Sequence, residues 1–159
     1  MTTAATAIGI FRVGGDGVSS SRFMAVGAGA RVALVGRYLA EHPNGVIILE
    51  VKRDDRPWDS WKRDLDSIEF MRVGVNGAVG AAEYLRAGLR CTDPVVRATH
   101  NSAPSADLPR VPYDSCVSRF FPPDTVLPVD QVRQLVIDFA VRGEWSTAAP
   151  WRSRVHLAG

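Results

Sequence analysis

The sequence predicts an α+β fold with a mainly antiparallel sheet and two principal helices, at about 31–41 and 128–142. Three observations lead there. Two stretches repeat apolar residues at spacings of three and four, the helical period. Several others are short β-prone runs bounded by turn residues. These runs follow one another through turns instead of alternating with helices, which favours hairpins over parallel βαβ units.

Taken in order, Thr6 to Val13 is β-prone, Gly14-Gly15-Asp16-Gly17 reads as a turn, and Ser20 to Val26 reads as a returning strand. Gly27-Ala28-Gly29 breaks that strand. Arg31 to Glu41 follows as a helix, with Val32, Val35 and Leu39 on one face and Leu34 and Tyr38 beside it. His42-Pro43-Asn44-Gly45 stops it. Val46 to Lys52 is the strongest strand, and its four consecutive aliphatics predict a central position. Asp54 to Asp66 reads as a loop.

Ile68 to Val75 and Val79 to Leu85 flank Asn76-Gly77, the residue pair preferred in a type I′ hairpin. Val95 to Thr99 is a further short strand, and Asn101 to Pro112 a Ser-, Ala- and Pro-rich loop. Ser115 to Phe121 reads as a strand stopped by Pro122-Pro123, with Cys116 as a small buried hydrophobe within it. Pro128 to Arg142 is the best helix. Pro128 suits a first turn, Asp130 the positive end of the dipole, and Gly143 the C-terminal cap. Val129, Val132, Val136 and Phe139 form its apolar stripe.

A chain of 159 residues, 46% hydrophobic and 23% charged, is expected to form one domain over 1–159 that buries its own core, with a short basic tail from about Arg152. Its net charge of +2 gives no argument for a nucleic-acid or membrane partner. Residues 1–40 hold four Arg and one acid, whereas 41–83 hold nine acids against six bases, so the middle is the anionic part. No basic leader with a long apolar stretch opens the chain and no run is long enough to span a bilayer. A soluble, cytoplasmic protein with two reduced thiols, Cys91 and Cys116, is the expectation.

Chemistry-bearing patterns are few. Gly27-Ala28-Gly29-Ala30-Arg31-Val32 follows a strand, opens a helix and precedes a strand ending at Glu50, the outline of a dinucleotide site. Val32 stands where close helix–strand packing wants a small residue, and no further βα units follow. A nucleotide-binding or enzymatic α/β domain using Gly27–Gly29 is kept as an alternative, as is a general protein-interaction module. His42, His100 and His156 lack the spacings of metal ligands, and no catalytic signature occurs, so neither a cofactor, a metal nor a catalytic residue is expected.

The segment from 54 to 66 is richer. Asp54, Asp55, Trp58, Asp59, Trp61, Asp64 and Asp66 are interleaved with Arg53, Arg56, Lys62 and Arg63. Two readings stay open: a solvated loop with its Trp side chains laid on the core, or an interface in which Trp anchors and charges orient.

Ile68 to Gly77 running into Gly80-Ala-Ala-Glu-Tyr-Leu85, then Phe120 to Val129, the helix to Phe139, Arg142-Gly-Glu144 and Trp151, together resemble the Imm1 family of bacterial immunity proteins. The family's terminal Trp-x-Trp is represented by Trp151-Arg152-Ser153, which keeps the first Trp. The resemblance implies a cytoplasmic antidote that binds a cognate secreted toxin, frequently a nucleic-acid deaminase, without chemistry of its own. On that implication Asp54, Asp55, Trp58, Asp59 and Trp61 are the candidate partner-binding residues, and Trp151 is a family position expected to pack beneath the final helix.

Overall fold

A computed structural model describes residues 7–13, 20–52, 68–88 and 91–154. The elements are β1 (Ala7–Val13), β2 (Ser20–Val26), α1 (Ala28–Glu41), β3 (Asn44–Lys52), β4 (Ile68–Asn76), β5 (Val79–Ala87), β6 (Val95–Thr99), a short 3₁₀ turn (Pro123–Thr125), β7 (Leu127–Pro128), α2 (Val129–Arg142) and β8 (Trp151–Ser153). The strands make one sheet in the order β2-β1-β3-β4-β5-β6-β8, every pair antiparallel. The α+β class, the antiparallel sheet and both helices are as the sequence predicts. β3 is indeed interior, with Val46, Ile47 and Leu49 buried and Ile48 half-buried.

Each helix ends where its chemistry ends it. Gly27 turns the chain out of β2 at a positive φ of 86°, and α1 begins one residue later. At the other end the His42 N–H donates to Tyr38 O before Pro43 intervenes. α2 starts as β7 finishes, with Asp130 in its first turn and Arg142 in its last. Gly143 closes it in the left-handed conformation at φ 71°, the shape that glycine adopts without a Cβ penalty.

The two helices cover one face of the sheet. Alternation along the strands sends Ile47 and Leu49, Met71, Val73 and Val75, and Ala82 and Tyr84 to that face. Val35 and Leu39 of α1 meet Val132, Leu135, Val136 and Phe139 of α2 above them. The Tyr84 and Phe139 rings meet edge to face at 6.1 Å. One hydrogen bond also ties the helices, from Arg31 Nη2 to Val141 O at 3.2 Å.

Three details depart from expectation. The β4–β5 turn is displaced by one residue: Asn76 pairs with Val79, leaving Gly77-Ala78 as the loop. Gly77 has φ 60° and no non-glycine residue among the described residues, Ala78 included, has positive φ, which is the pattern of a type II′ turn and not type I′. Tertiary bonds hold this register, since Asn76 Nδ2 donates to Arg110 O at 2.9 Å and Gly77 N–H to Asn44 Oδ1 at 3.0 Å.

Second, Ser115 to Phe121 is not a strand. Residues 111–121 fold back on themselves as an arch, closed by a Pro112–Phe120 bridge, with Tyr113 N–H donating to Arg119 O and Phe121 N–H to Val111 O. Asp114 Oδ1 takes the Cys116 N–H at 2.7 Å, a side-chain turn that competes with strand pairing, and Cys116 is exposed instead of buried. Third, Arg152 and Ser153, where a tail was expected, lie in β8.

Candidate partner-binding surface

The arch covers part of the face that the helices leave open. Val79 and Ala81 of β5 meet Val111, Tyr113, Phe121 and Val126 there in a second, smaller apolar cluster. Gly74 of β4 makes the close approach possible. A Cβ at that position would stand 2.1 Å from Pro112 O and 2.8 Å from Val111 Cγ1, so only glycine lets the arch lie on the strand.

A polar cluster adjoins these apolar contacts. Register places Arg72 of β4 directly opposite Glu83 of β5. Glu83 is only 4% exposed. A carboxylate so buried needs partners. The Tyr113 hydroxyl donates to Glu83 Oε1 at 2.7 Å, and Arg154 Nη1 approaches Oε2 at 3.3 Å. Arg154 reaches it because β8 pairs with β6, and the Arg154 N–H continues that pairing to Val96 O. Burial holds the Tyr113 phenol above its usual pKa of 10.0, and the Glu83 hydrogen bond and charge add to this, against the opposing charges of Arg72 and Arg119.

Those two arginines stack on the same ring. The guanidinium carbons of Arg72 and Arg119 lie 4.3 and 4.4 Å from the Tyr113 centroid, while Arg110 lies 4.8 Å from that of Phe120. Phe120 is 39% and Val117 59% exposed. A cleft of about 330 Å³ opens beside them, lined among others by Leu108, Pro109, Arg110, Phe120 and Pro122. Buried tyrosine, stacked arginine and exposed phenylalanine around a small cleft are the residue types and shape of a protein contact surface. Sequence patterning gave no sign of it, because Arg72, Glu83, Tyr113 and Arg154 come from four separate segments.

The sequence-derived candidates fall elsewhere. Asp54, Asp55, Trp58, Asp59 and Trp61 lie outside the described residues, in the segment joining β3 to β4. Trp151 is half-buried and packs against the helix-side core. It meets Trp145 edge to face at 6.1 Å and donates from Nε1 to Ser146 O at 2.5 Å. Ser146 in turn donates to the Asp138 carboxylate on α2, so Trp151 reaches the final helix through this link. Arg97 stacks on Trp145 at 4.4 Å.

The glycines of the alternative reading have ordinary duties. Gly27 supplies the positive-φ turn and Gly29 lies inside α1, both in open space. The antiparallel sheet also lacks the successive parallel βα units on which a dinucleotide site is built. His42 stacks on Tyr38 at 4.1 Å. Among the described residues no three His, Cys, Asp or Glu side chains gather in a group able to hold a metal, and no helix is long and apolar enough to cross a membrane.

The family model described as "Immunity protein Imm1" matches residues 32–153, well over half of the chain. The match takes in α1 from Val32 onward and β3 as well as the motifs from Ile68 onward. No curated protein and no solved structure matches.

Proposed function

The chain belongs to the Imm1 immunity protein family, and from that premise we propose that it neutralises a cognate secreted toxin by direct contact, in the cytoplasm of the cell that makes both. The family match is the observation that carries the reading. It runs from Val32 in α1 through β3, β4, β5 and β6, the arch and α2 to Ser153 at the end of β8. We further propose that the whole chain acts as one domain and performs no catalysis.

The toxin we favour acts on nucleic acid, as a deaminase does. Such an enzyme needs a basic groove to hold phosphates. The acids at Asp54, Asp55 and Asp59 would complement that groove and speed association, while Trp58 and Trp61 would supply anchors.

The test is binding to the toxic domain encoded beside this chain. Wild type should bind it and protect cells that express it. Changing Trp58 and Asp59 together to Ala should weaken binding by about tenfold or more, with thermal stability nearly intact. Equal binding by that variant would remove the 54–61 segment from the interface. Absence of binding by wild type would remove the toxin-neutralising reading.

A further inference from the structure

We propose that the arch is a second docking surface, built to grip a carboxylate-bearing loop of the partner protein. The inference rests on the toxin-binding reading for the partner's identity, but its chemistry is read from the surface alone.

The guanidinium groups of Arg72, Arg110 and Arg119 make no hydrogen bond or ion pair to another described residue; each instead lies over an aromatic ring. Stacking fixes a guanidinium plane and leaves its N–H edge free, so the fork is arranged before any ligand arrives. Glu83, the acid directly opposite Arg72 in the sheet, is already buried between Tyr113 and Arg154, and Asp114 Oδ1 holds the Cys116 N–H. None of the three guanidinium groups is paired with a carboxylate among the described residues, so the charge of this patch is open to a partner. Planar paired carboxylates match its geometry, since a guanidinium binds them through two parallel hydrogen bonds.

The same stacking argues for a protein and not a nucleic-acid strand. Single strands bind by laying bases on open aromatic faces. Here the Tyr113 ring carries two guanidinium groups and the Phe120 ring one. Exposed Val117 and the cleft beside Phe120 add an apolar foothold that a peptide can fill.

Two titrations of the full chain decide the matter. The first follows the arginine Nε–H resonances while adding a twelve-residue Leu-Glu-Glu repeat peptide, with oligo(dT) of equal charge in parallel. The peptide should shift Arg72, Arg110 and Arg119, saturably and less at high salt, and should bind more tightly than the oligonucleotide. Arg110→Gln with Arg119→Gln should weaken it by about tenfold, and Arg110→Lys with Arg119→Lys, which keeps charge but not the planar fork, should weaken it measurably. No shift at these residues, tighter binding of oligo(dT), or full affinity in the Lys variant would overturn the proposal.

The second titration uses the neighbour-encoded toxic domain. Loss of affinity in the Gln variant, with its melting temperature unchanged, supports the docking surface. Equal affinity of Gln variant and wild type overturns it while leaving toxin binding in place. If wild type does not bind that domain, the functional reading fails and the peptide titration still judges the arch.

Discussion

The two faces of this sheet solve opposite problems. On the helix side, α1 and α2 bury a continuous apolar layer in which Val35, Leu49, Met71, Val73, Leu135, Val136 and Phe139 are wholly inaccessible. On the open side, a short arch covers a smaller apolar patch and brings a buried carboxylate, a buried tyrosine and stacked arginines beside it. One face is organised by area removed from water, and the other by directional contacts. Stability is thus concentrated where no partner can reach, which leaves the other face able to present charge and aromatic edges.

Removing side-chain volume should expose this difference most sharply. Phe139→Ala empties a wholly buried position between the helices and Tyr84 and should cost about 3–5 kcal/mol in a urea unfolding experiment. A loss below about 1 kcal/mol would contradict the idea that the helix side carries the stability. Gly74→Ala tests the other face. Its Cβ would meet a backbone oxygen, which cannot rotate away, so the arch must lift at a cost of about 1–3 kcal/mol. Resonances of Tyr113 and Phe121 should move while those of Phe139 stay, and the reverse pattern would show that the faces are not independent.

A charge change should act more gently. Glu83→Gln keeps the shape but leaves Arg154 without its counter-charge, and about 1–2 kcal/mol should be lost. The Tyr113 phenol should also titrate lower than in wild type, closer to the ordinary value, while burial keeps part of the elevation. The sign follows from a folded-state pKa raised above the unfolded one. The associated stability is complete below the unfolded value of 10.0 and is lost as pH rises through the folded one. Wild type should therefore weaken more steeply than the variant in that alkaline window, and parallel curves would remove Glu83 as a cause. The smallest effect belongs to Gly36→Ala. It stands in α1 with open space where a Cβ would go, and should stabilise by roughly 0.5–1 kcal/mol.

Local pattern was most legible where one element answers to one rule. The stripe of Val132, Val136 and Phe139 announces α2, with Gly143 as its stop, and the four aliphatics of β3 announce an interior strand. The same rules misread residues 115–121. That run is β-prone, yet Asp114 captures a backbone N–H next to it and the chain doubles back onto Val111. They also place the β4–β5 turn one residue early, because the bonds from Asn76 to Arg110 and from Gly77 to Asn44 are invisible to a local window.

By itself the sequence determined the class of fold, both helices and the interior strand, since each rests on residues close together in the chain, and the family resemblance, which rests on the order of short motifs from Ile68 to Trp151. It also singled out Trp151, which the structure locates against Trp145 and the core. Only the tertiary structure decided the open face. Glu83 finds Tyr113 thirty residues away and Arg154 seventy-one residues away, and contacts across such separations leave no period or spacing to read. They exist because sheet register and a glycine-sized gap at Gly74 bring those segments together, a consequence of the whole packing and of no single stretch.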